Sequence, residues 1–204
     1  MKMDYIEGLY LGKLWSDTDF ENRRHAGLFI LYGFLVDLLV LLRYFTGKTY
    51  LGIGIFNVFH WVILILLMLA CPFINFRYYR MPGWGKALVL IEKTFKSFLV
   101  MSLTVSLILP RIKVQSTGLQ DFLINYLNET LEKYTEKFSS GAGSFATVMG
   151  VLAGGIHVVL VIVLIAVAAL VIPGLVYLAV RFIQYAYDWV IDRLVIRRVF
   201  RYRR

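Results

Sequence analysis

A single uncharged run dominates the chain and determines the environment in which it folds. Residues 138–180, 43 in all, contain no Lys, Arg, Asp or Glu. A helix needs only about 20 apolar residues to cross a bilayer core of about 30 Å. The run ends at Arg181, seven residues beyond Gly174, so a hairpin at Pro173-Gly174 would leave its second arm too short to span. The sequence therefore predicts one membrane crossing, over residues 146–172, with a kink or joint at Pro173 and a second helix beyond it.

Further apolar segments predict an all-α integral membrane protein with four transmembrane helices. The chain is 59% hydrophobic and only 17% charged, whereas soluble domains are about half apolar and a quarter charged. Helical periodicity adds an N-terminal interfacial helix and an amphipathic outer helix between the third and fourth crossings. The predicted segments of this single polytopic domain, 1–204, are 1–25 (cytoplasmic, interfacial), 26–46 (first crossing), 51–71 (second crossing), 72–87 (cytoplasmic loop), 88–110 (third crossing), 111–145 (extracytoplasmic, amphipathic), 146–172 (fourth crossing) and 173–204 (cytoplasmic basic helix).

The third predicted crossing carries charge in its first turns. Only residues 97–110 are uncharged there, which is too short to span, so a full crossing must include Glu92, Lys93 and Lys96. Lysines at this position can extend to the lipid headgroups. Glu92 and Lys96 are four residues apart and can pair on one helix face. We interpret these charges as an accommodation to the membrane surface.

Basic residues predict the orientation. If the N-terminus is cytoplasmic, 16 of the 22 Lys and Arg residues lie on the cytoplasmic side, as the positive-inside rule favours. Both ends are then cytoplasmic, in a plasma membrane or, for a bacterium, the inner membrane. Asp4 and Glu7 interrupt the start of the chain, so no cleavable signal peptide is expected. The net charge of +9 is explained by topology and by anionic lipid on the cytoplasmic side, so no direct contact with nucleic acid is expected.

Three predicted crossings carry an ionisable residue near mid-bilayer depth. Asp37 lies about 11 residues into the first, His60 about nine into the second with Asn57 one turn before it, and His157 about 11 into the fourth. An acid at that depth costs about 2.5–3.5 kcal/mol on insertion scales, so Asp37 needs a partner, water or a proton. The four residues either line an ion or proton path or form a buried hydrogen-bond network that fixes helix register.

Small residues recur every fourth position at the start of the last crossing. Ala146, Gly150 and Gly154 include a GxxxG match, a pattern that lets two helices approach backbone to backbone. The spacing leaves open whether that contact joins two subunits or two helices of one chain. Four helices enclose too little polar surface for an internal conduit, so a pore would form between subunits, which favours a homo-oligomer.

The C-terminal segment is basic and amphipathic. Six arginines alternate there with apolar residues: Arg193, Arg197, Arg198, Arg201, Arg203 and Arg204. Two roles fit this pattern. One is anchoring on anionic lipid, worth about 1 kcal/mol per basic residue near the surface. The other is docking of an acidic cytoplasmic protein.

No catalytic pattern is present in the sequence. The three histidines are scattered, and there is no HExxH, no phosphate-binding glycine loop and no GxSxG elbow. No enzyme activity, cofactor or metal site is therefore expected, and the single Cys71 excludes an intrachain disulfide. The sequence predicts a homo-oligomeric membrane protein that forms or gates a small ion-conducting pore. The alternative is a membrane-embedded adaptor or sensor subunit of a multi-component system (envelope sensing, immunity or defence) that recruits a cytoplasmic partner through its basic C-terminal helix.

Overall fold

A computed structural model describes residues 4–12, 14–16, 26–49, 56–112 and 118–199. These residues are almost entirely helical, with no strand among them. The main helices are α1 (Asp4–Leu11), α2 (Ala26–Thr46), α3 (Val58–Asn75), α4 (Gly83–Ile108), α5 (Leu119–Ala142) and α6 (Ala146–Ile191). Short 3₁₀ turns lie at Tyr78–Arg80, Leu109–Arg111 and Gly143–Phe145, and α6 continues into a π-helical turn, Asp192–Ile196, and a last helical turn, Arg197–Val199.

The described residues include three helices long and apolar enough to cross a membrane. They are Gly27–Thr46, Val58–Asn75 and Ala146–Val199. Their large apolar side chains point outward, as with Leu164, which is 69% exposed. A soluble monomer rarely exposes so much contiguous apolar surface, whereas a membrane protein presents it to lipid tails. The prediction of an all-α fold is confirmed for the described residues, and three of the helices are apolar enough to span a membrane. Helix α4, which carries internal charges, is not one of the three.

Helix α6 is far longer than one crossing requires. Its 46 residues extend about 70 Å at 1.5 Å per residue. The structure differs here from the predicted pair of helices, because α6 runs through Pro173 without a break in helical assignment. Pro173 and Gly174 are both buried, and a methyl group on Gly174 would overlap the ring of Phe29 in α2. Proline is tolerated inside membrane helices where neighbouring helices pack around it, and α2 supplies that neighbour.

Helices α2 and α6 run antiparallel in close contact. Gly33 lies directly against the backbone of Leu170, and the ring of Tyr32 lies 4.8 Å from that of Tyr177. The Tyr32 hydroxyl also forms a hydrogen bond of 3.1 Å with Thr104 of α4. Glycine permits the close approach because it has no Cβ. The contacts fix α2 against the middle of α6 and against α4.

Helix α3 begins and ends later than the predicted second crossing, 51–71. Residues 51–55 lie outside the described part of the chain, and α3 starts at Val58. It continues past Pro72, the predicted end, to Asn75. Proline has no N–H and so cannot bond the carbonyl four residues before it, which here belongs to Met68. The side chain of Gln184 in α6 donates to that carbonyl at 3.2 Å, and so replaces the missing partner.

Helices α5 and α6 form an antiparallel hairpin. The chain reverses at Gly143, whose φ of +53° is a left-handed conformation that glycine adopts without steric cost. Thr135 of α5 then lies against Gly150 of α6, and Leu131 lies against Gly154. The sequence predicts an amphipathic helix in this region, between the third and fourth crossings. The structure packs it along α6 of the same chain.

The N-terminal segment is packed against the opposite end of α6. Trp15 is only 5% exposed and lies in a cluster with Leu11, Tyr78 and Ile196. Tyr78 donates a hydrogen bond of 2.8 Å to Glu7 of α1. Burial, followed by the hydrogen bond and charge of Glu7, raises the pKa of Tyr78, so the phenol keeps its proton and remains the donor. The segment is thereby fixed to the helix bundle.

Candidate functional site

A hydrogen-bonded chain of side chains connects the N-terminal segment with α3, α4 and α6. Its centre is Gln184, whose Oε1 accepts from the Lys96 ammonium at 2.6 Å. The amide of Gln184 donates to Asp188 Oδ1 at 2.5 Å as well as to the carbonyl of Met68. Asp188 Oδ2 in turn accepts from the Trp15 indole at 3.0 Å. We call Lys96, Gln184, Asp188 and Trp15 the Gln184 network.

The Gln184 network joins residues that are very distant in sequence. Trp15 and Asp188 are 173 positions apart, and Lys96 and Gln184 are 88 apart. Asp188 is only 5% exposed, yet both of its oxygens accept a hydrogen bond. A buried charge is stable only when its polar atoms are paired in this way. The network therefore locks the N-terminal segment and three helices in one arrangement.

Lys93 lies beside the network and is deeply buried. It is 4% exposed, its ammonium contacts Cys71 Sγ, and it lies 3.2 Å from the Glu92 carboxylate. Lys93 and Glu92 form an ion pair without hydrogen-bond geometry, since neither Glu92 oxygen has a hydrogen-bond partner among the described residues. Our interpretation that the lysines extend to the headgroups is wrong for Lys93, and Lys96 pairs with Gln184 rather than with Glu92. Both lysines point into the bundle because α1, α3 and α6 surround that face of α4.

An open cavity of about 120 Å³ lies between the N-terminal segment, α4 and α6. Its polar wall carries Lys93, Lys96, Arg181, Asp188 and Asn75. Its remaining wall is largely apolar and includes Leu9, Leu11, Leu14, Val100, Tyr177 and Val180. Such a combination of an apolar wall and a few convergent polar groups is typical of a ligand site.

The predicted intramembrane residues are not brought together. Asp37 of α2 is partly exposed, and no described residue forms a hydrogen bond or an ion pair with it. His157 lies against α5, with its ring 5.5 Å from that of Tyr134. No contact joins Asp37, His60 and His157 within the part of the chain that the structure describes. A shared polar lining within one chain therefore has no support from this geometry.

Asn57 and His60 form a helix cap instead of an intramembrane pair. Asn57 is the N-cap of α3, and its Oδ1 accepts from the backbone N–H of His60 at 3.3 Å. The His60 ring faces back toward Asn57 and completes a capping box. Because α3 starts at Val58, His60 lies in its first turn rather than near the middle of the helix. Their hydrogen bonds satisfy a helix end, which is a structural role.

The small-residue stripe is occupied by another helix of the same chain. Ala146, Gly150 and Gly154 are all buried. A methyl group on Gly150 would lie 2.6 Å from the Thr135 Cα, and one on Gly154 would lie 3.0 Å from a Leu131 methyl. Of the two possibilities that the spacing leaves open, the structure shows the intrachain contact. The stripe is not available to a second subunit while α5 occupies it.

The arginine-rich end is described as far as residue 199. Arg193 lies over the Trp189 ring, with its guanidinium carbon 5.3 Å from the ring centroid. Arg197 pairs with Asp192 at 2.8 Å, and Arg198 is exposed. The remaining predicted contact residues, Arg201, Arg203 and Arg204, lie outside the described residues.

Sequence reasoning did not find the Gln184 network, although one signal was present. Arg181, Gln184, Asp188 and Asp192 form a polar stripe at helical spacing on a helix that is otherwise strongly apolar. A polar stripe that faces other helices rather than water must find partners there. Lys96 and Trp15 are two such partners.

Comparison with known proteins gives no match: no family model, curated protein or solved structure matches this chain.

Proposed function

We propose that this protein is a membrane-embedded adaptor that links an extracytoplasmic helical hairpin to a cytoplasmic surface. The observation that supports this most directly is the continuity of α6 from Ala146 to Ile191. One end of α6 packs against α5, and the other carries Gln184 and Asp188, which hold the N-terminal segment. An unbroken helix of about 70 Å mechanically connects two surfaces that a bilayer core of about 30 Å would separate.

Four membrane crossings fit the arrangement, with α4 as the fourth. Its outward side chains Leu88, Ile91, Phe95 and Phe98 are exposed and apolar, and they recur every three or four residues as on a lipid-facing stripe. Lys93, on the opposite side, is buried. The charges of α4 therefore need not contact lipid, which removes the main obstacle to its insertion. With the N-terminus cytoplasmic, the positive-inside rule is obeyed.

Cysteine labelling tests this topology. We expect Glu136→Cys in α5 to react with a membrane-impermeant maleimide in intact cells, because the proposed orientation puts α5 outside the cell. Trp84→Cys and Arg198→Cys should react only after permeabilisation. All three positions are exposed, and the wild-type chain is the control because its only cysteine, Cys71, is buried. Labelling of Arg198→Cys in intact cells would contradict the orientation.

The adaptor proposal predicts no ion conduction and a soluble partner at the inner end of α6. Purified protein in liposomes should carry no more ion flux than empty liposomes. A photoreactive residue at Leu194, which is 52% exposed, should form a discrete adduct with a soluble protein in cells. The same group at Leu164 is the control, since that position faces the membrane and should yield no soluble adduct. Flux above the empty-liposome level would instead support the pore function.

A further inference from the structure

Among the described residues, the cavity beside the Gln184 network has more positive than negative charge. Lys93, Lys96 and Arg181 contribute three cations to its wall and Asp188 one carboxylate, and a second carboxylate, that of Glu92, lies next to Lys93. Among the described residues, Lys93 has Glu92 within ion-pair distance, whereas neither Lys96 nor Arg181 has a carboxylate that close. A cation within a membrane bundle is costly unless a counter-charge or water accompanies it. The imbalance points to an anion in the cavity.

The cavity also has an acceptor without a donor. Asn75 is 2% exposed, its amide nitrogen lies 3.6 Å from Cys71 Sγ, and its Oδ1 has no hydrogen-bond partner in the part of the chain that the structure describes. A buried carbonyl oxygen of this kind normally receives a hydrogen bond from protein, water or ligand. A ligand that combines an anionic group with a hydroxyl would satisfy both the cations and Asn75. Phosphate esters of polyols have this composition.

The apolar wall distinguishes a lipid from a free phosphate. Leu14, Val100 and Val180 line the cavity next to its polar wall, and they offer a surface that hydrated phosphate would not use. An acyl chain would remove such a surface from water. The cavity also lies on the side that the proposed topology places in the cytoplasmic leaflet, where anionic lipids are concentrated.

We propose that this cavity binds the phosphate headgroup of one anionic glycerolipid. Lys96 and Arg181 contact the phosphate, Asn75 accepts from a headgroup hydroxyl, and the acyl chains lie along the apolar wall. The assignment to the cytoplasmic leaflet rests on the proposed orientation, whereas the ligand chemistry rests on the cavity itself. Because Trp15 and Asp188 share the cavity with Lys96, the lipid would also stabilise the attachment of the N-terminal segment.

Lipid binding is tested on the full-length protein by native mass spectrometry. Detergent-purified protein is titrated with phosphatidylglycerol or phosphatidylcholine, and the dissociation constant of the first bound lipid is measured for each. We expect the wild type to prefer phosphatidylglycerol by about tenfold or more, as for a hydrogen-bonded charged group. Lys96→Gln removes the charge and keeps a donor for Gln184, and Val180→Trp fills the apolar wall without changing charge. Each should remove most of the preference.

Arg198→Gln is the matched control, because it removes one exposed charge from the inner end without touching the cavity. This variant should retain the preference for phosphatidylglycerol over phosphatidylcholine. Circular dichroism should confirm that all variants are folded. An equal loss in Arg198→Gln would assign binding to the arginine-rich end and overturn the proposal. Inorganic phosphate that competes as strongly as the lipid would assign the site to a free anion and also overturn it. The adaptor function is measured separately, by liposome flux and cross-linking, so either proposal can fail alone.

Discussion

Replacement of Gln184 by leucine is expected to lower the free energy of unfolding by about 3 kcal/mol or more, since each buried polar group left without a partner costs about 1–3 kcal/mol. Three groups lose a hydrogen-bond partner at once: the Lys96 ammonium, Asp188 Oδ1 and the Met68 carbonyl. Lys96 keeps only a weaker hydrogen bond to Cys71 Sγ, at 3.9 Å. The Met68 carbonyl also lacks its usual partner within α3, because Pro72 provides no N–H. The loss of unfolding free energy is measured by unfolding the protein in mixed micelles that contain an increasing fraction of denaturing detergent.

Two comparisons distinguish the network from a general effect of the substitution. Gln120→Leu makes the same change at an exposed position in the first turn of α5, and it should alter stability by no more than about 0.5 kcal/mol. Lys96→Met combined with Gln184→Leu removes both partners of one hydrogen bond, so the double variant should cost less than the sum of the single variants. Strict additivity would show that the Lys96–Gln184 bond contributes nothing to stability.

The positions of most helices could be predicted from apolar periodicity alone. The expected first crossing, 26–46, coincides with α2 (Ala26–Thr46), and the outer amphipathic helix is present as α5. Length and hydropathy are local properties, so a sequence window reports them directly. The predicted helix end before Pro72 and the predicted joint at Pro173 differ from the structure, because the effect of a proline on a helix depends on tertiary contacts. Pro72 and Pro173 both lie inside helices, where side chains from other helices support the backbone around them.

The candidate site could not be predicted in the same way, because its parts meet only in three dimensions. Lys93 and Lys96 lie in the first turns of the predicted third crossing, 88–110, and a lysine there can reach the headgroups or turn into the bundle. The choice depends on whether another helix offers acceptors at the same level, and Gln184 does so from 88 positions away. For His60 the difficulty was the start of the helix. The sequence placed that start at residue 51, seven residues before Val58, so His60 was predicted near the middle of the helix rather than in its first turn.

The contact between α5 and α6 gives the second large expected effect. Gly150→Leu should cost about 3 kcal/mol, the upper part of the usual range for overpacking, because even its Cβ would lie 2.6 Å from the Thr135 Cα. Backbone atoms cannot move aside as a flexible side chain does, so the two helices must separate. Hydrogen exchange followed by mass spectrometry should then show faster exchange of the α5 amides around Thr135, while those of α3 remain protected.

Gly155→Leu provides a matched control on the same helix. A Cβ at Gly155 meets nothing within 4 Å, and leucine has a higher helix propensity than glycine by nearly 1 kcal/mol. This variant should therefore be as stable as the wild type or slightly more stable.

The two variants together also decide between the two roles that a GxxxG pattern can have, contact between subunits and contact within one chain. If Gly150 served contact between subunits, Gly150→Leu would change the oligomeric state in detergent and leave α5 exchange unaltered. Faster exchange of α5 with an unchanged oligomeric state would establish that the small-residue stripe holds the hairpin of a single chain together. Any oligomer would then form through another surface, such as the outward apolar faces of α2, α3, α4 or α6.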